Sequence, residues 1–333
     1  MKFVRRHLVL ALTVIMLMSV MVLAVSAKGN TTDVTETRYV FGSSQTQSTY
    51  RDKKDNTAVY LNNPMFYLST AIGIAIAVSN VIRSASRIQY FNEAMASLSP
   101  HSTSSRSPIG YSLFIQWLPI ARTTLCHQIY FFIWPILAAM PFGWSYHQER
   151  QNGVYNQIIS RSSKQTYFIS KYIAVFVSGG LAVSLPLLFD LFATAMVCPY
   201  VVPTPIIPIN IISDGYFLSE LYYSRPWTYA FIICFVDFLL GGITATLCIS
   251  AGSKIRLQIV VILIPFATYL FLDAGWSLIS DLLGLNFELS PFALAAVTAE
   301  MPTPEWAVCT IIFALLLISI GFGYFQVVKH ELD

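Results

Sequence analysis

Residues 227–250 read WTYAFIICFVDFLLGGITATLCIS, in which Asp237 is the sole charged residue. A helix needs about 20 mainly apolar residues to cross the hydrocarbon of a bilayer. A helix is also the form that pairs every backbone N–H and C=O within one segment, which hydrocarbon demands. Comparable runs at 8–27, 127–146, 172–197, 257–275 and 306–328 bring the predicted spans to six, with Pro135 and Pro141 expected to kink the second. Charged residues make up 11% of the chain, less than half of the roughly 25% usual in a soluble domain. The fold class expected is an all-α membrane protein, a multi-pass protein of the plasma membrane.

The first run has two readings. Lys2, Arg5 and Arg6 precede it, and Val25-Ser26-Ala27 resembles a small-residue cleavage site. Its apolar core, 8–24, exceeds the roughly 7–15 residues of a signal-peptide core. It is read as an uncleaved transmembrane anchor, with a cleaved signal peptide as the alternative. Both readings set residue 28 onward outside the cell.

Orientation follows from Lys and Arg in short loops, which stay cytoplasmic. With a cytoplasmic N-terminus the inner segments are 1–7, 147–171, 251–256 and 329–333. They hold ten of the twenty Lys and Arg residues, whereas the two short outer loops, 198–226 and 276–305, hold one, Arg225. Both termini are therefore expected in the cytoplasm. The chain divides into a first helix (1–27), a large extracytoplasmic segment (28–126) and a five-helix region (127–333) that includes the cytoplasmic loop 147–171. The apolar stretch 64–80, PMFYLSTAIGIAIAVSN, could cross as a seventh span, but alone it would invert everything after it. It is read as a helix on the outer membrane surface or in an external domain, and 111–121 likewise. Residues 28–60 read as a solvated segment, and VVPTPIIPIN (201–210) as an outer loop that helix cannot continue through.

Several functions are excluded by what the sequence lacks. No basic stripe or zinc spacing points to nucleic acid. There is no C-x-x-C among the five cysteines, although Cys126 and Cys198 both fall at the outer face and could pair there. No G-x-x-x-x-G-K-[ST], H-E-x-x-H or G-x-S-x-G occurs, so no P-loop, metalloprotease or hydrolase site is expected. Glycine pairs at 179–180 and 241–242 lie in spans and suit close helix contact. No metal site or cofactor is expected in this chain, and it is not read as an enzyme.

Three carboxylates fall inside spans, where burial makes any acid a functional candidate. Asp237 lies near mid-span, while Asp190 and Asp273 come late in outward-running helices and are expected near the outer interface. All three are candidates for a translocation path. Asp237 stands equally as a hydrogen-bonded packing residue.

The longest polar interruption among the later spans is 146–176, YHQERQNGVYNQIISRSSKQTYFISKYIAVF. Its spacing predicts a short helix over 147–159, with Arg150, Val154 and Gln157 on one side and Tyr155, Ile158 and Ile159 on another. Ser162 or Ser163 is the candidate N-cap of the next span. Lys171 is expected to reach the headgroups.

ERQNGV (149–154), SRSSK (160–164) and YFISKY (167–172), preceded by PILAAMPFGWSY (135–146), resemble the first cytoplasmic loop of type-2 ABC transporter permeases. Arg161-Ser162-Ser163-Lys164 stands where that family commonly has a proline. The resemblance implies that this loop carries a coupling helix that docks on a separate ATPase subunit. The positions carried over are Glu149, Arg150, Gly153, Val154, Arg161 and Lys171. It further implies a permease subunit, of an exporter of peptides or lipophilic compounds. Its partners would be the ABC ATPase, with ATP and Mg2+ there, and a second copy or sister permease. Two rival readings stay open: a proton- or ion-coupled secondary transporter using Asp237, and a membrane-anchored sensor or immunity protein binding a ligand through 28–126.

Overall fold

The computed structural model describes residues 64–97, 111–160, 163–203, 212, 216–251, 257–297 and 302–325. The predicted span 8–27, the polar segment 28–60, Arg161 and most of the Pro-rich loop lie outside the described residues. All regular elements described are helices. They are α1 (Pro64–Ser97), α2 (Leu113–Gln116), α3 (Leu125–Ala139), α4 (Ser145–Gln151), α5 (Val154–Ile159) and α6 (Lys164–Val197), followed by α7 (Ser219–Ser224), α8 (Pro226–Ala251), α9 (Gln258–Leu283), α10 (Pro291–Ala296) and α11 (Glu305–Tyr324). Among them α1, α6, α8, α9 and α11 are long and apolar enough to cross a membrane. At 15 residues, α3 is apolar but shorter, about 22 Å at 1.5 Å per residue.

One helix end was anticipated, the cap at Ser162 or Ser163, and two more are set by local groups. Ser163 caps α6, its hydroxyl accepting the Thr166 N–H at 3.2 Å. Thr124 caps α3 in the same way through His127 N–H, also at 3.2 Å. Gly284, with φ 62°, closes α9 in the left-handed conformation that a helix end favours. Pro135 is accommodated within α3, whereas Pro141 lies in the turn that separates α3 from α4. The predicted continuous run 127–146 is therefore two helices joined by a turn.

Residues 64–80 differ most from expectation. They open the 34-residue helix α1, which packs along α6. Ala77 and Val81 share a buried cluster with Phe189 and Ala193. A Cβ on Gly73 would fall 2.5 Å from the Pro186 ring, so α1 and α6 meet closely there. The Ser69 hydroxyl donates to the Leu137 carbonyl of α3 at 2.6 Å. Residues 64–97 thus share one core with the rest of the bundle. The stretch 111–121 is likewise buried: Leu113, Phe114, Trp117, Leu118 and Ile120 all lie within the main hydrophobic core. The sequence argument read 64–80 as a surface or external helix because a lone crossing there would invert every later span, whereas the helix runs 17 residues further, to Ser97.

Contacts between the helices fix their relative directions. α1 runs with α6, since Gly73 meets Pro186 and Asn80 meets Asp190. α3 runs against α6: the Tyr130 hydroxyl donates to Val183 O at 2.5 Å, while Ala138 O lies beside Gly179. α8 runs against α6, with Gly241 beside Val183 and Ala245 beside Gly179. α9 runs against both α3 and α8, because Val261 packs with Ala139 and Cys248 while Tyr269 reaches Trp134 and Thr244. α11 runs with α8, as Ser319 meets Thr246 and Gly323 approaches Ser250 and Phe168. In chain order α1, α3, α6, α8, α9 and α11 therefore alternate in direction.

The tightest seam joins α6 and α8. A Cβ on Gly179 would lie 2.3 Å from the Ala245 Cβ and 2.9 Å from Ala138 O. Small residues let helix backbones approach in this way. Gly275 on α9, by contrast, faces open space. Gly179→Ala is expected to lower stability by about 1–3 kcal/mol through overpacking, while Gly275→Ala leaves it unchanged or slightly raised. Thermal unfolding of the two purified variants in one detergent checks the contrast.

Candidate functional site

The polar interruption noted in the sequence folds as an elbow at one end of the bundle. α4 ends at Gln151, the chain turns through Asn152 and Gly153, α5 follows, and Ser163 begins α6. Gly153 has φ 72°, and a Cβ there would meet nothing within 4 Å. Its role is to supply the bend, which a side chain would strain, and no other segment among the described residues approaches it.

Three tyrosines hold the elbow together. Tyr146 of α4, Tyr155 of α5 and Tyr167 of α6 are buried. Their ring centroids lie 5.8 Å (146–155), 5.3 Å (155–167) and 6.5 Å (146–167) apart, within the range of favourable aromatic pairs. Ile158 and Ile159 pack against the same cluster. The apolar side expected of the short helix is the side that faces the bundle, while Arg150 and Asn156 are exposed.

Glu149 and Lys171, singled out separately in the sequence, form one ion pair. The Lys171 ammonium donates to one Glu149 carboxylate oxygen, and the Tyr167 hydroxyl donates to the other. The Lys171 side chain is 3% exposed and that of Glu149 28%. Lys171 does not extend to headgroups, as expected from its position; it turns into the bundle, where an ammonium requires a partner. Among the positions carried over, Glu149, Gly153 and Lys171 therefore shape the elbow, and Arg150 is exposed. Val154 opens α5.

The three intramembrane acids separate. Asp190 was expected near a wet interface, yet it is fully buried. It accepts from the Asn80 amide at 3.0 and 3.2 Å and from Leu118 N–H at 2.7 Å. Arg83 binds this cluster from the side, donating to Asn80 Oδ1 at 2.8 Å and Gln116 Oε1 at 3.3 Å. Asp190 thus ties α1, the 111–121 turn and α6 together. Asn80 and Arg83 were not anticipated, although two polar residues three apart in an apolar run were a readable signal. Asp273 lies at the same end of the bundle and accepts from the Ser290 hydroxyl. Asp237 is 1% exposed, and its Oδ2 has no hydrogen-bond partner among the described residues. Cys126 and Cys198 are free thiols. Burial, with Asp190 nearby, pushes the Cys198 thiol up to about 12, which leaves it poorly reactive. Among the described residues no cluster of His, Cys, Asp and Glu could hold a metal.

Comparison of the chain with protein-family models, with characterised proteins and with solved structures finds no match. The elbow must therefore be judged on its own geometry. Lys171→Met leaves Glu149 half-buried without its cation and is expected to cost about 3 kcal/mol. Adding Glu149→Gln to it should restore most of that loss. A double-mutant cycle on thermal unfolding measures the coupling.

Proposed function

We propose that this chain is the permease subunit of an ATP-driven ABC transporter of the type-2 class, moving a peptide or lipophilic compound outward. The observation that carries the reading is the elbow. The short helices α4 and α5 are both fixed to α6, α4 by the Glu149–Lys171 ion pair and α5 by Tyr155 packed on Tyr146 and Tyr167, while Arg150 and Asn156 are exposed. An element so rigidly attached to the bundle, yet open on one side, suits the transfer of a partner's movement. The chain has no P-loop, so ATP and Mg2+ would be handled by that partner, an ATPase docking near Arg150 and Asn156.

In this reading the six crossings are α1, α3, α6, α8, α9 and α11. The elbow, the link with Lys254 and Arg256 and the end of α11 then share the cytoplasmic side, in keeping with the basic residues. Six spans make half of a pathway, completed by a second copy or a sister permease. The membrane is the plasma membrane.

One observation favours a second reading. An acid with a buried, unpaired oxygen at mid-helix is what a proton-coupled carrier would use, and Asp237 has that character. The two readings differ in energy source.

Co-expression with candidate ATPases from the same genome tests the first. Arg150→Glu with Asn156→Lys should abolish co-purification of the ATPase while the protein still inserts and unfolds at an unchanged temperature, since neither side chain is buried. Retention of the complex would remove the docking assignment. Transport that needs no ATPase and is lost in Asp237→Asn would establish the carrier instead. An epitope inserted ahead of Pro64 decides the crossing of α1: protected from outside reagents if α1 crosses, and accessible if it does not.

A further inference from the structure

The bundle end opposite the elbow carries an open cleft of about 620 Å3 between α3, α9 and α10. That size lies within the roughly 300–1,000 Å3 of sites that take drug-sized ligands. Three carboxylates line it: Asp273, Asp281 and Glu288. Two of them are held in position by a single residue. The Ser290 hydroxyl donates to Asp273, while the Ser290 N–H donates to Glu288 Oε1 at 3.2 Å. The same hydroxyl accepts from Phe292 N–H at 3.2 Å and so caps α10. Asp281 is exposed at the mouth.

Aromatic rings line the cleft as well. Phe132 and Phe292 line the cleft, and both pack edge-on against Phe266, with centroids 5.2 and 6.3 Å away. Phe132 remains 54% exposed. Among the described residues Arg122 is the cleft's only Lys or Arg, so carboxylates there outnumber cations three to one. Carboxylates and aromatic rings in one cleft suit one chemistry: a positive charge on an apolar body, held by charge and by cation–π contact. A bare metal ion does not fit, as the acids do not converge into a ligand set among the described residues.

We propose that this cleft binds a drug-sized organic cation with an apolar body. The proposal rests on the permease reading only for its place on a transport route, where it would be the outer vestibule. Binding itself requires no ATPase.

The test uses full-length protein in nanodiscs, titrated calorimetrically with tetraphenylphosphonium, with empty nanodiscs subtracted for partitioning into lipid. Saturable binding is expected. The isosteric double variant Asp281→Asn, Glu288→Gln should weaken it about tenfold or more, close to 1.4 kcal/mol. An unchanged unfolding temperature would show that the variant is folded. Phe132→Ser, at an exposed position, should weaken it independently. The proposal falls if wild type shows no saturable binding, or if all variants bind alike. Probe binding with no ATPase association would overturn the permease reading and keep the cleft. ATPase association with no probe binding would do the reverse.

Discussion

Helices α6 and α8 approach so closely that their glycines leave no room for a methyl group, and most other contacts are arranged around that seam. Gly179 faces the Ala245 side chain and the carbonyls of Ala138 and Gly241, while Gly180 lies against Phe238. Lipid tails are as apolar as leucine side chains, so hydrophobicity alone does not draw such helices together in a membrane. Close van der Waals fit does. Once α6 and α8 are joined, α3 packs against both, α1 lies along α6 and α11 along α8. α9 sits outermost among the long helices and exposes Phe271, Leu278 and Leu282.

Polar groups inside this bundle are few, and they occur where two or three elements must be fixed together. Glu149, Lys171 and Tyr167 lock the elbow at one end. Asp190, Asn80, Gln116 and Arg83 lock α1 and the 111–121 turn at the other. Between them Thr246, Ser319 and Tyr172 join α8, α11 and α6 through hydroxyls. Buried polar groups held in such networks confer specificity instead of strain. Arg83 Nε and Asp237 Oδ2, by contrast, are buried with no hydrogen-bond partner among the described residues.

Much of the architecture was legible in the sequence because hydrophobic length is a strong signal. The helices at 164–197, 226–251, 258–283 and 305–324 lie where apolar runs put them, with ends shifted by up to eight residues. The elbow was visible as polarity, and its capping serine was among the two named. What the sequence hid were pairings across long separations. Glu149 and Lys171 stood out individually, but nothing in their 22-residue spacing says that they meet. Asp190 looked interfacial because it comes late in an outward-running span, while its partners, Asn80 and Leu118, are distant in sequence. The extent of α1 was not read either: its polar second half, with Arg83, Arg87 and Glu93, lies beyond the apolar stretch 64–80.

Pro186 lies within α6, near the Asp190 cluster and away from the elbow. A proline inside a helix removes one hydrogen bond and loosens the turn before it. Here the loosened turn is braced from outside, by Tyr130 on Val183 O and by Trp117 Nε1 on Leu187 O at 3.2 Å. α6 is thus stiff between the elbow and residue 182, gripped at both ends and notched near the far one. It has the build of a lever about 50 Å long at 1.5 Å per residue. Its short arm bears on α1, so displacement at α5 finds its first compliant point beside the residues that anchor α1.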